Sequence, residues 1–572
     1  MNDVSVTLAN GAEANLTFEV TAAARSGVAL AQIDAELRSE DAVVASMMDA
    51  IELPVRPAAP RVTNGGEAVV TAATPWRGTI PGNYMSGTGA IELRLGPRPT
   101  LSLPRGLDYL YQYPYGCAEQ TTSACFPLIH LRDIGEQIAP DLFAPAGMTR
   151  RLESGIVRLQ AMETDGGLAM WPGSRTDWPW ATIYATHFLV AARRARHPVP
   201  EDFLRRLLSN CRRMDTYNEW RWAETQAYAC YVLALAGQPA HALMQRLEEI
   251  LKDKRSEAEI GPSTRCWLSA AWMAAGRRDL AVGLLPQQLP SMRRDRRLDG
   301  DLASPIRDRA VMLMTLLDVT PEHPGIPGLA QDLAAAAPWP STQDTSFALL
   351  ALGRYLRLTA QSQPPTAVEL LVDGVSAGTA APGPSIRWSG VSAATVEARI
   401  QGDPQARGWM TWTSSGVPMT PPADVANGLT VRRRWFDEHD NDLAGKVLLS
   451  GDLVRVELLV TSDIAYRGVV LEDLLPAGLE IENPRLETTA AAQSRHEDDG
   501  YAERTEVRDD RLITMGNLWK NPQGKWEMRA RYLARAVTPG TYTLPPVRAE
   551  CMYDIAVNGI AGAGSVTVMP AR

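Results

Sequence analysis

A thiol and a carboxamide three residues apart are the features of this chain best suited to covalent chemistry. Cys117 and Gln120 stand in the run YLYQYPYGCAEQTTS, residues 109–123. Side chains at i and i+3 meet across one helical turn. Attack of the Cys117 sulfur on the side-chain carbonyl carbon of Gln120, with loss of ammonia, would close an internal thioester through Ala118 and Glu119. Such a bond is an activated acyl group with a good leaving thiol. It would acylate a nearby amine or hydroxyl through Gln120 and free Cys117. Water competes, so the bond lasts only where it is screened. Tyr109, Tyr111, Tyr113 and Tyr115 alternate just upstream and are expected to form one wall of that screen, although core packing explains each of them equally well. Gly116 supplies a tight entry, and Thr121-Thr122-Ser123 leads into a helix. Glu119 reads as a helix-start carboxylate favoured by the dipole, with orientation of Gln120 as the other reading.

The elements that must position this pair change character along the chain. LTFEV (16–20), AVVTAA (68–73) and AIELRL (90–95) are short strand-type runs separated by turns such as Asn64-Gly65-Gly66, and LPVRPAAPR (53–61) reads as a linker. From 101 to 363 strand alternation gives way to Ala, Leu and Arg. A small polar or acidic start followed by a long apolar helix recurs at 180–195, 223–237, 262–277, 304–319 and 341–356. The period is about 40 residues, with amphipathic segments such as 201–214 and 240–254 between, which is a helical-hairpin repeat. The repeated helices, apolar on most faces, predict an inner layer, and the intervening ones an outer layer. That describes a superhelix or a closed α/α toroid. From 364 the chain returns to strands at 367–374, 452–462, 467–483 and 542–554, so the helical block reads as an insertion in a β-domain. Segment 484–511, with HEDDG and RDDR, reads as a charged loop, and Arg432-Arg433-Arg434 as a solvated strand face.

Composition narrows the functional classes. At 572 residues several domains are expected. A formal net charge of −9 argues against a general nucleic-acid binder. No apolar run reaches the length of a membrane span, and the start lacks a basic region followed by an apolar core, so neither a span nor a signal peptide is expected in this chain, which reads as cut from something longer. The six cysteines are too dilute for a disulfide scaffold.

YPYGCAEQTTS at the start of an all-α block flanked by β resembles the thioester domain of α2-macroglobulins, most closely the bacterial members. GGLAMWPGS (166–174) with DWPWATIYAT (177–186) resembles the second shared part of that domain. AECMYDIAVNG (549–559) is similar to the C-terminal domain in which a Met-Tyr pair, here Met552 and Tyr553, faces the thioester. The resemblance covers essentially the whole chain and implies a multidomain α+β protein. Residues 1–56 would be a partial macroglobulin-like β-domain, and 57–98 and 365–414 the two halves of a CUB-like β-domain. Residues 99–364 would be the inserted thioester domain, an α/α toroid, and 415–572 a C-terminal macroglobulin-like β-sandwich domain. It implies the C-terminal part of a broad-spectrum protease inhibitor of the bacterial periplasm or cell envelope. The Cys117–Gln120 thioester would capture attacking proteases by single-turnover acylation of their amines, with no cofactor and no metal. Other partners would be the N-terminal macroglobulin domains and bait region of a longer parent, which this sequence does not contain. Some thioester proteins direct the acyl group to hydroxyls through a histidine. His187, in an apolar helix, reads as a core residue, and His130 and His241 are no better placed, so direct transfer to amines is expected.

The other classes fit less well. LQAMETDGGLAMWPGS (159–174) also resembles the Q-then-G-W repeat of terpene cyclases and prenyltransferases, which are α/α-toroid enzymes, but no DDxxD and no Cys/His set with zinc spacing accompanies it. A Cys-His protease lacks convincing partners for Cys117. An adhesive β-protein leaves the Cys117–Gln120 pair unexplained.

Overall fold

Long runs of small and apolar residues between 103 and 359 make helices that can be buried on nearly every face. In the structure, a computed structural model, the described residues are 4–9, 11–39, 42–57, 59–96, 101–216, 222–252, 260, 262–285, 296, 300–359, 367–380, 386–401, 406–482 and 502–571. Among them, six helices succeed one another as packing neighbours: Ala118–His130, Pro179–Arg194, Ala223–Leu235, Pro262–Ala274, Pro305–Val319 and Thr342–Thr359. The last packs back on the first, so the circuit closes. Buried residues occupy almost every position of these helices. Each carries a second helix on its outside, such as Pro145–Gln160 on the first and Glu201–Arg213 on the next. The second set is amphipathic. Glu201–Arg213 buries Phe203, Leu204, Leu207, Leu208 and Cys211 and turns its arginines outward, which is the stripe expected of a helix covered on one side. No helix among the described residues is long and apolar enough to cross a membrane.

Strands from before and after the helical block share sheets. One sheet has the order Ile386–Gly390, Ala90–Gly96, Arg407–Gly416, Val62–Thr71; the other has Trp76–Ile80, Ala394–Gln401, Ala367–Val372, Val375–Ala380. Their facing side chains, including Leu93, Leu95, Val368, Leu370, Val396 and Met410, make one core. Chain ends brought together in this way let the helical block leave and re-enter at one place.

The C-terminal strands form a second β-unit. A six-stranded sheet orders Val425–Asn427, Asp554–Ala561, Val547–Cys551, Val469–Leu474, Arg511–Gly516 and Ala502–Arg508. It packs on a sheet of Thr430–Phe436, Leu453–Ser462, Trp526–Ala536 and Leu479–Ile481. Strict alternation in Leu453–Ser462 sends Val454, Val456, Leu458 and Val460 into that core.

Several sequence expectations change. Within 1–56 the described residues form one antiparallel hairpin, Gly27–Ser39 with Ala42–Val55, and not a sandwich; LTFEV (16–20) is not a strand. The second strand of the hairpin runs to Val55, so the linker begins later than read. Of the loop read at 484–511, residues 484–501 lie outside the described residues. Ala502–Arg508 is a strand paired with Arg511–Gly516, because alternate residues of that charged stretch point to the two faces of an edge strand. Arg433 is not solvated. Its guanidinium is buried against Asp473 at 2.5 Å and donates to the Pro545 and Gly562 carbonyls, while Tyr532 donates to the other Asp473 oxygen at 2.7 Å.

Candidate functional site

Cys117 is not inside the helix that follows it but caps it. Its φ and ψ are extended, the helix begins at Ala118, and Gln120 is the third helical residue. The Gln120 N–H donates to Cys117 Sγ at 3.5 Å, and the Cys117 N–H donates to Gln120 Oε1 at 3.0 Å. This is a reciprocal capping box with sulfur in the place of the usual hydroxyl. It corrects the expectation that Thr121-Thr122-Ser123 opens the helix. Thr121 instead donates to the Gly116 carbonyl, and Thr122 bonds back to Ala118. Gly116 has φ +69, and a Cβ there would lie 3.0 Å from the Arg158 guanidinium. That guanidinium donates to the Gly116 and Tyr115 carbonyls at 2.7 and 3.0 Å and so fixes the bend leading into Cys117. The second motif seen in the sequence is adjacent, since Ala118 N–H donates to the Met170 carbonyl.

Cys117 is 0% and Gln120 3% exposed. The cluster around them draws on both the helical block and the C-terminal β-unit: Tyr115, Trp171, Leu302, Val470, Ile513, Met515, Met552 and Tyr553, with Tyr113, Met170 and Trp178 at its edge. Met552 and Tyr553 form the two-residue tip between paired strands Val547–Cys551 and Asp554–Ala561. Tyr553 Oη lies 3.5 Å from Cys117 Sγ, and Gln120 Nε2 donates to Met552 Sδ at 3.5 Å. The tip is seated on Gly468, whose carbonyl accepts from Met552 N–H at 2.8 Å. Gly468 has φ +64, and a Cβ there would meet the Tyr553 ring at 2.7 Å. Across the interface, Tyr113 Oη donates to the Met552 carbonyl at 3.4 Å and Ile555 N–H to the Pro340 carbonyl at 3.1 Å. Arg296 pairs with Asp344 at 2.5 Å while donating to the Tyr553 carbonyl at 3.3 Å.

The tyrosine run divides. Tyr113 and Tyr115 pack edge-on to one another at the thiol, and Tyr109 packs edge-on to Tyr113 one step back, against the helical core. Tyr111 is 40% exposed and sits under Arg151, away from the pair, so its expected place in the screen is corrected. The helix Leu103–Gln112 ends there, so Tyr109 and Tyr111 follow helical rather than strand geometry and face different ways. Glu119 is fully buried. Ser123 donates to it at 2.5 Å and Thr342 at 2.8 Å, and burial raises its carboxyl to about 7. Its hydrogen bonds come from Ser123 of its own helix and Thr342 of a neighbouring one, with none described to Gln120. Burial also pushes the Cys117 thiol up to about 12.

None of the three histidines weighed from the sequence reaches the pair. His187 is buried with Nδ1 on Tyr228 Oη at 3.0 Å. His130 is at the far end of the helix that Cys117 caps, roughly 18 Å along its axis, and His241 packs on Trp272. The walls supplied by Trp171, Leu302, Val470, Ile513 and Met515 were not found from sequence. Only the neighbouring GGLAMWPGS motif pointed to any of them.

Residues 428–554, which end just past the Met552–Tyr553 tip, match the family model for the bacterial alpha-2-macroglobulin MG10 domain. Alpha-2-macroglobulin of Escherichia coli is 29% identical over 87% of this chain, and that of Xylella fastidiosa is 30% identical over 81%. The crystal structure of native Escherichia coli alpha-2-macroglobulin from domain MG7 to the C-terminus covers 95% of this chain and 88% of its own length, at TM-score 0.75 and 26% identity. This chain belongs to the bacterial alpha-2-macroglobulin family. It spans 31% and 29% of the length of the two curated relatives. Salmonella alpha-2-macroglobulin reacted with methylamine aligns over 95% of this chain at TM-score 0.74 and 25% identity, with 36% of its own length covered. At 95% coverage, the two solved structures take in both the helical block and the β-unit that meets it at Cys117.

Proposed function

We propose that Cys117 and Gln120 form an internal thioester, and that this chain is the acylating portion of an alpha-2-macroglobulin that traps proteases. The observation that carries this is the reciprocal capping box. It holds sulfur and carboxamide together at a fully buried helix start, and the Met552–Tyr553 tip closes over both. Reaction with methylamine, named for the Salmonella relative, is the chemistry expected of such a bond. Opening of the lid admits an amine, which takes the acyl group from Gln120 while Cys117 leaves as a thiol. Each molecule reacts once, so this is inhibition by covalent capture and not turnover. With no histidine beside the pair among the described residues, the acyl group passes directly to amines. The amines would be lysines of an attacking protease, and the compartment the bacterial periplasm or cell envelope.

The closed circuit of inner and outer helices supports reading 99–364 as an α/α toroid. The interleaved strands on either side support a CUB-like domain split into 57–98 and 365–414, and the C-terminal pair of sheets supports a macroglobulin-like domain from 415. A cyclase reading of the same circuit is disfavoured by its filled interior, where Tyr228 stacks on Trp267 at 4.1 Å and Tyr184 on Phe347 at 5.3 Å.

Intact mass tests the thioester. Native protein should weigh one ammonia less than its sequence and resist alkylation at Cys117. Methylamine should then release one alkylatable thiol and leave a methylamide at residue 120. Cys117→Ala should fold, show the full mass and form no adduct with a protease. Full mass and a freely alkylated Cys117 in untreated wild type would overturn the reading.

A further inference from the structure

Closing a thioester from a thiol and a carboxamide poses a proton problem. The sulfur begins protonated and the nitrogen must leave as ammonia, so one proton has to pass from sulfur to nitrogen as the S–C bond forms and the C–N bond breaks. Burial leaves little free thiolate at Cys117 near neutral pH, and an amide nitrogen leaves poorly until it is protonated. A group that both accepts and donates is required at the sulfur. The backbone N–H groups of Glu119 and Gln120 that bond to Sγ can only donate. Met552 Sδ, beside Gln120 Nε2, has no proton to give. Glu119 bonds to Ser123 and Thr342, with no described hydrogen bond to either reacting side chain. The remaining described group at hydrogen-bonding distance of Sγ is the Tyr553 hydroxyl, at 3.5 Å, and a hydroxyl does both.

We propose that Tyr553 catalyses closure of the thioester as a two-proton relay, an inference that rests on the thioester reading above. Once sulfur adds to the Gln120 carbonyl, sulfur and nitrogen share one carbon. A hydroxyl bonded to the sulfur then reaches the nitrogen through a six-membered cycle of S, C, N, O and the two moving protons. The thiol proton passes to Tyr553 Oη, the tyrosine's own proton passes to Nε2, the C–N bond breaks and ammonia leaves. Tyr553 ends as it began. The Cys117 N–H, 3.0 Å from Gln120 Oε1, supports the charge that builds on that oxygen. The residue that covers the bond is thus also the one that makes it.

Tyr553→Phe tests this, because it keeps the ring and removes one oxygen. Wild type and variant, both full chains, are refolded and sampled over time for intact mass and for the identity of residue 120 in the peptide containing Cys117. General acid-base catalysis contributes roughly 100-fold or more, so the variant should close the ring about 100-fold more slowly. It should remain at full mass with Gln at position 120 and a free Cys117. Loss of ammonia at the wild-type rate would overturn the relay. So would Glu at position 120 in the variant, since that records a bond formed and then lost to water, leaving the hydroxyl a protective role alone. Wild type that itself retains full mass and Gln120 would sink the thioester reading, and that result is distinct from either of the others.

Discussion

Residues 113–115 and residues 552–553 both border Cys117, and they arrive by different means. The near wall is local. A helix ends at Gln112, the chain bends through Tyr113, Pro114 and Tyr115, and Arg158 pins the carbonyls of the bend. Its rings pack edge-on to one another and belong to the helical block. The far wall is a hairpin tip from another β-unit, 436 residues from the thiol, and it touches both reacting side chains. The near wall cannot leave without unfolding its domain. The far wall meets the helical block through contacts between separately folded units, among them the Tyr113 and Arg296 hydrogen bonds. A screen that must both exclude water and open needs one wall of each kind.

That contrast makes graded predictions, all read as the rate of spontaneous thiol release from Cys117. Met552→Ala, which leaves the Tyr553 hydroxyl in place, should have the largest effect. Burying a large apolar side chain is worth about 1.5–3 kcal/mol, so the open fraction, and the release rate, should rise roughly 10- to 100-fold. Gly468→Ala leaves every wall residue in place but sets a methyl against the Tyr553 ring in a left-handed backbone that disfavours it. At a cost of about 1–2 kcal/mol, release should quicken about five- to thirtyfold. An unchanged rate would show that the tip does not depend on its seat. Tyr113→Ala removes the hydroxyl that bonds the Met552 carbonyl, a contact worth about 0.5–1.5 kcal/mol, for a roughly two- to tenfold rise; an effect larger than that of Met552→Ala would reverse the ranking of the walls. Tyr111→Ala should change the rate by less than about twofold and the melting temperature hardly at all, as for an exposed side chain.

The same contrast explains what could be read in advance. The Cys117–Gln120 spacing, the inner and outer helices and the strands at 453–462 and 547–551 are written in local pattern, because period and composition report burial directly. Tyr111 misled because alternation suits a strand, and the residues adopt a helix up to Gln112. Arg433 misled because a charged strand residue looks solvated until its partner Asp473, forty positions later, is known. Leu302, Ile513 and Met515 were invisible as site residues because nothing in an apolar side chain says which surface it meets. Met552 and Tyr553 became visible through family resemblance, since no rule of spacing connects a turn to a thiol so far away.

That separation also orders events during synthesis. Chains grow at about 5–20 residues per second, so the 436 positions between Cys117 and Tyr553 take roughly 20 to 90 seconds to make. For most of that time the residues that build the helix cap exist while its cover does not. A bond formed then would be spent on water before that cover was made. If the hydroxyl that completes the cover is also the one that moves the protons, the chain is unarmed until the β-unit carrying Tyr553 has folded and docked, and arming becomes a checkpoint on that docking.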